Sequence, residues 1–213
     1  MKNLLLIQPN GLLRRIYPKA TWNESRDSKN IYLTFDDGPI PGLTEWVLDE
    51  LKAAEARATF FCVGDNIRKH PSIFERIRQE GHTAANHTMY HSKGFKNGAG
   101  AYLEEVEECG ALVGNRLFRP PYGQLKKSQY RRLIEKGYQI VFWDVISYDY
   151  ENIPEQQCFR NVVGNTQNGS IVLFHDNIKA EKNLRYSLPL FLKHFREKGF
   201  EFRALQTGER HQA

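Results

Sequence analysis

The stretch Ile31-Tyr32-Leu33-Thr34-Phe35-Asp36-Asp37-Gly38-Pro39, followed by Thr44 to Glu55 and then by Ala58-Thr59-Phe60-Phe61-Cys62-Val63, decides the fold. An apolar run stopped by a Gly-Pro turn, an amphipathic stretch of helical length and a second apolar run rich in aromatic residues make a strand–helix–strand unit. The alternation continues along the chain. Strands are expected at Ile31–Phe35, Ala58–Val63, His82–Ala85, Leu117–Arg119, Gln139–Trp143, Ser170–Phe174 and Phe200–Arg203. Helices are expected at Thr44–Glu55, Pro71–Glu80, Ala101–Val113, Ser128–Lys136, Pro154–Val163 and Ser187–Lys198. Pro71 suits a first helical turn, and Gly81, Gly137 and Gly199 follow their helices where a left-handed residue is wanted. This order predicts an α/β fold, a closed or nearly closed (β/α) barrel of about seven parallel strands, with an open doubly wound sheet as the alternative. Residues 1–30 read as an N-terminal arm, and residues 31–213 as one domain.

Composition excludes several classes. Hydrophobic residues at 40% and charged residues at 26% of 213 are those of a globular domain, not of a disordered, collagen-like or coiled-coil chain. No apolar run approaches the roughly 20 residues of a membrane span. The Leu4-Leu5-Leu6-Ile7 patch, broken by Gln8-Pro9-Asn10, is also short for the apolar segment of a secretory signal. A cytoplasmic protein is therefore expected, and the patch with Arg14-Arg15 nearby would suit peripheral membrane contact. The net charge of +5 is scattered over short basic pairs rather than a stripe, so no nucleic-acid partner is expected. Cys62, Cys109 and Cys158 lack metal-binding or disulfide spacing and read as reduced and buried.

Chemistry-bearing residues gather at the C-terminal ends of the expected strands, where barrels and α/β sheets place their sites. Asp36-Asp37 enters the Gly38-Pro39 turn, and a bend there would let two repelling carboxylates approach one cation. A turn or helix cap would use the same residues. His87 and His91, four apart, would share a face if helical, and with Asp36 or Asp37 could chelate a metal. His82, inside its strand, is assigned to packing. Arg119-Pro120-Pro121-Tyr122-Gly123 holds the Tyr122 amide rigidly, ready for an oxyanion, and Arg119 could pair with a carboxylate. Phe142 to Tyr150 carries two acids, Asp144 and Asp149, and an aromatic wall including Trp143 expected to face substrate. Ile171 to Asp176 is an apolar strand ending in His175.

These five segments, in this order, resemble the polysaccharide deacetylase family, the NodB-homology domain of carbohydrate esterase family 4. The likeness runs from about Ile31 to Arg203 and includes Ala58 to Gly64 and Glu80-Gly81-His82. The resemblance implies a distorted (β/α) barrel of about seven parallel strands, and a catalytic domain that hydrolyses the N-acetyl group of an N-acetylated sugar in a glycan or glycan precursor. It implies one divalent metal ion, usually Zn²⁺, held by Asp37, His87 and His91, with Asp36 as the base that deprotonates the attacking water. It further implies that Arg119 orients Asp36, the Tyr122 amide supports the oxyanion, Leu173 lines the acetyl pocket and His175 protonates the leaving amine. Two other functions fit the same residues: removal of formyl or acyl groups from a lipid-linked amino sugar, and carbohydrate binding by a catalytically weakened relative.

One position departs from the family pattern. The fourth motif usually reads Asp-x-x-Asp-Trp, and alignment on Asp149-Tyr150 places Ile146 where the first carboxylate belongs. Residues two apart on a strand share a face, so Asp144 is expected to stand in for that carboxylate and to support Arg119 or His175. Asp149 is expected to be the less suitable partner.

Overall fold

The computed structural model describes residues 7–9 and 11–206, so the Leu4-Leu5-Leu6 patch lies outside the described residues. The strands are β1 (Asn30–Asp36), β2 (Ala58–Cys62), β3 (Thr83–Asn86), β4 (Leu117–Phe118), β5 (Gln139–Ile140), β6 (Val145–Ile146), β7 (Ile171–His175) and β8 (Glu201–Phe202). All pairings between them are parallel, in the order β5-β4-β3-β2-β1-β7-β6, with β8 joined to the start of β1. The sheet curls into a partial barrel. The central strand β1 lies between β2 and β7, in a register that sets Asp36 beside both Phe61 and His175.

Side-chain alternation explains where the core sits. Leu33, Phe35, Phe60, Val172 and Phe174 point outward, into a core shared with α2 (Leu43–Ala53), α4 (Pro71–Gln79), α7 (Glu155–Val163) and α8 (Glu181–Glu197). Phe61, Ala85 and Ile171 point the other way and pack inside the curl with Leu117, Val141 and Leu205. With a period of two, Thr34, Asp36, Leu173 and His175 share this inner face. The lower interior is thus closed by apolar side chains, while polar groups gather at the strands' C-terminal rim.

Around the opposite edge, α5 (Ala99–Val113) and α6 (Lys127–Glu135) pack with β4 and β5, and the N-terminal arm joins them after the short α1 (Gly11–Ile16). Thr21 donates its N–H to Ile140 O and accepts from Phe142 N–H, both at 2.8 Å, while Asn23 bridges Ser170 in the antiparallel sense. The arm therefore spans the edge between β5 and β7. Tyr17 and Trp22 are buried there against Phe142.

Several elements differ from expectation. The strand expected at Gln139–Trp143 ends its ladder at Ile140, because the Phe142 amide turns to the arm, and a further strand forms at Val145–Ile146. The last helix starts at Glu181 rather than Ser187 and accommodates Pro189 in its interior. A short α3 (Gly64–Lys69), absent from the sequence reading, follows β2. The three cysteines are free and buried. Among the described residues no helix is long and apolar enough to cross a membrane. Of the basic pair considered for membrane contact, Arg14 is committed to an ion pair with Asp144.

Candidate active site

Asp36 and Asp37 reach one centre because the chain bends between them. Asp37 has a φ of 85°, in the left-handed region that a residue with a side chain seldom occupies. The bend is held by neighbours: Asn66 donates to Asp37 O at 2.8 Å, and Asp176 receives the Gly38 N–H at 3.1 Å. Gly38 is required there, since a Cβ would stand 1.9 Å from an oxygen of Asp176. That Asp176 carboxyl is buried, which raises its pKa to about 8 despite the Thr44 hydroxyl bonded to it at 2.5 Å.

His87 and His91 converge without a helix. The segment is a loop in which Thr88 and His91 have φ of 66° and 55°, and the two rings come to 5.1 Å between centroids. Helical spacing is thus replaced by two left-handed residues. His87 Nδ1 lies 2.8 Å from Arg119 O, which can only accept, so the ring carries its proton on Nδ1 and turns the Nε2 lone pair inward.

The donor set fits a divalent metal. One donor atom each from Asp37, His87 and His91 lie within 4.8 Å of one another. The Nε2 atoms of His87 and His91 stand 3.5 and 2.9 Å from Asp37 Oδ1, yet that buried oxygen has no aligned hydrogen-bond donor. Two imidazoles and a carboxylate converging on an oxygen that no aligned donor satisfies could hold a cation, and three protein ligands would leave a coordination position open. Asn177 donates to the other Asp37 oxygen.

Asp36 occupies the next position on the inner face. Arg119, fully buried, donates to Asp36 Oδ1 at 2.7 Å and to Thr34 Oγ1 at 2.8 Å. Its other donors go to main-chain carbonyls, Val141 O at 3.2 Å and Phe142 O at 2.8 Å, and its guanidinium lies 4.1 Å from the Phe61 ring centroid. No carboxylate from the fourth motif touches it.

His175 is held by Asp149, which accepts its backbone N–H at 2.7 Å and faces its Nδ1 at 2.8 Å. Burial alone would lower the pKa of His175, but the Asp149 carboxylate, with Asp37 and Asp36 beyond it, raises it to about 9. The Tyr150 ring stands edge-on to the imidazole at 4.7 Å. The expectation that Asp144 supports His175 or Arg119 is corrected here. Asp144 donates its amide to Ile171 O, so it sits four residues before His175, roughly 13 Å lower along the strand direction. Its oxygens are taken by Arg14 at 3.1 Å, Arg26 at 2.9 Å and Ser170 at 2.7 Å.

Tyr122 has a φ of 61° in its turn, and its half-exposed ring lies 4.7 Å from that of His91. Trp143 packs against that turn: a Cβ on Gly123 would meet its indole at 2.9 Å. Leu173 is buried between Thr34 and Ile146 in register, and Ile146 fills the place of the missing acid. His82 is structural, accepting the Ala58 N–H at 3.2 Å. Sequence reasoning missed Asn66 and Asn177, and Asp176, expected to point away while the strand stays extended, instead receives the Gly38 N–H. The Gly64-Asp65-Asn66 turn after β2 and the Asp176-Asn177 pair after His175 were the available signals.

A curled parallel sheet with a strained Asp-Asp turn, two convergent imidazoles and a carboxylate-held histidine at one rim defines a class of α/β metalloproteins. The chain belongs to the polysaccharide deacetylase family, whose sequence profile matches residues 23–141. It is 36% identical over 152 residues to a peptidoglycan-N-acetylglucosamine deacetylase of Bacillus cereus, covering 68% of this chain and 55% of that protein. A chitooligosaccharide deacetylase of Rhizobium leguminosarum bv. trifolii is 33% identical over 164 residues, 73% of this chain and 75% of the relative. The crystal structure of the Bc1960 peptidoglycan N-acetylglucosamine deacetylase superposes with a TM-score of 0.82 at 31% identity, covering 88% of this chain and 91% of the other.

Proposed function

We propose that this protein removes the acetyl group from N-acetylglucosamine-type sugars of a glycan or glycan precursor, with Zn²⁺ as its metal. The observation that carries this reading is the orphaned Asp37 oxygen between two imidazoles, set between Asp36–Arg119 and Asp149–His175. The ion, when bound, supplies Lewis acidity toward the amide carbonyl and makes water more acidic.

The chain's own groups do the rest. Asp36, oriented by Arg119, takes the proton of the attacking water. The Tyr122 N–H is left out of the turn's own hydrogen bonds, in which Gly123 donates to Pro120 and Gln124 to Pro121, so it can stabilise the developing oxyanion. Leu173 and Ile146 shape an apolar floor for the acetyl methyl. His175, protonated at neutral pH with its pKa near 9, donates from Nε2 to the departing amine. Asp149 fixes the tautomer from the other side of the ring.

The test is mass spectrometry of N-acetylglucosamine oligomers, peptidoglycan fragments and lipid-linked amino sugars after incubation with zinc-loaded protein. Loss of acetyl with release of acetate supports the proposal. Loss of formyl or longer acyl groups from the lipid-linked sugars alone would move the function to that alternative, and binding without any product would leave a carbohydrate-binding protein. A lipid-linked or soluble precursor as the preferred substrate would agree with a cytoplasmic location, and assembled glycan with an extracellular one.

A further inference from the structure

Arg119 is buried and must fix Asp36, yet the motif-four carboxylate expected to steady it is Ile146 in this chain. Its other anchors are the carbonyls of Val141 and Phe142, just past the end of β5. A carbonyl is a good anchor only if its peptide cannot turn; the sheet still holds the Val141 N–H, on Phe118 O at 2.8 Å, but not the next peptide, which joins Val141 to Phe142 and carries the Val141 carbonyl. The arm does. Thr21 O takes the Phe142 N–H at 2.8 Å, and the Phe142 ring is stacked by Trp22 at 4.4 Å and an interplanar angle of 12°, with Tyr17 at 5.3 Å. The Arg14 guanidinium lies 5.5 Å from the Trp22 ring centroid, and Arg14 and Arg26 close on the two oxygens of Asp144. Tyr17, Thr21 and Trp22 all precede residue 23, where the family profile begins.

We propose that the N-terminal arm is the device that positions Arg119, and through it Asp36, with Trp22 as its chief positioning residue. The arm clamps the Val141–Phe142 peptide through its N–H and the Phe142 ring by stacking, the carbonyls of Val141 and Phe142 receive the arginine fork, and the fork aims Asp36. Asp144 belongs to this device as the latch on the arm rather than as a partner of the site. The link from Asp36 to turnover rests on the function proposed above, whereas the link from Trp22 to Arg119 is geometric and is read separately.

The experiment compares wild type with Trp22→Ala, Trp22→Phe and Phe142→Leu, the last keeping the carbonyl and losing the stack. The first readout is hydrogen exchange at Arg119 Nε–H by NMR, on proteins checked for equal metal content and folded far-UV signal. Exchange about tenfold faster or more in Trp22→Ala, with protection kept by Trp22→Phe, is expected. The second readout is kcat for acetate release in a double-mutant cycle with Arg119→Lys, which keeps the charge but cannot reach both carbonyls. Trp22→Ala is expected to lower kcat about tenfold with KM unchanged in the parent, and to have little further effect beside Arg119→Lys. Unchanged exchange in both Trp22→Ala and Phe142→Leu, or an equal fall in kcat in both backgrounds, would overturn the proposal. Should Trp22→Ala fail to fold, Phe142→Leu carries the same two readouts. A wild type that releases no acetate would refute the deacetylase reading, while the exchange data would still decide whether the arm holds Arg119.

Discussion

Asp37 and Asp144 are both shielded carboxylates with two basic side chains in reach, and they do opposite things. Asp144 has each oxygen matched to a guanidinium, with Ser170 added, and is saturated. Asp37 faces two imidazoles, neither of which makes an aligned hydrogen bond to Oδ1, and that oxygen is left unmatched. The lesson is that the proton inventory of the neighbours, more than their charge, separates a latch from a ligand. Guanidinium always brings hydrogens, whereas an imidazole held on its far nitrogen by a carbonyl brings a lone pair.

The largest effect that would test this contrast is at the ligand end. Asp37→Ala is expected to lose bound metal and with it all measurable turnover, while Asp144→Asn keeps full occupancy by metal analysis; equal occupancy in both would erase the distinction. Asp36→Asn should retain the ion and lose about 10²–10⁴-fold in kcat, the usual worth of a general base, measured as acetate release.

Next comes His175. Its acid form persists until the pH passes about 9 because Asp149 stabilises the imidazolium. Asp149→Asn removes that anion, lowers the His175 pKa and moves the alkaline limb of the kcat profile toward neutral pH. Asp144→Asn leaves the limb in place, and a shift there as large as that of Asp149→Asn would return Asp144 to the site. The Asp144 change should instead cost about 1–2 kcal/mol of stability, since both guanidiniums are partly exposed, read as a fall of about 3–6 °C in Tm.

The smallest effect concerns His82, whose burial lowers its pKa to about 4 from the usual 6.5, with Arg57 adding to the shift. The neutral ring contributes stability that is full above about 6.5 and is lost as pH falls toward 4. His82→Phe should flatten that part of the stability curve and leave kcat unchanged.

Much of this was legible in the chain itself. Strand–helix alternation from Ile31 onward reported the parallel sheet, since strands buried on both faces are written as short apolar runs. Asp37, His87 and His91 could be found from their places at strand ends, although the expected helical face proved to be a loop. The partner of His175 was not legible, because period-two reasoning holds only while a strand continues. Asp149 lies past the end of β6 and returns through a turn, where Tyr148 has a φ of 57°. The arm was equally hidden: nothing in Thr21-Trp22-Asn23 shows that its partners lie at Ile140, Phe142 and Ser170.

The arm that seams β5 to β7 also sets a schedule for synthesis. It leaves the ribosome before its partners: Arg14 and Arg26 wait for Asp144, 130 and 118 residues downstream, and Arg26 also for Ser170, 144 residues away. During translation Tyr17 and Trp22 are therefore apolar groups without a home until the fifth strand and the turn beyond it have emerged. Closing so long a loop is slow relative to local helix formation. The nascent chain would hold this seam open longest, with Tyr17 and Trp22 uncovered until it closes.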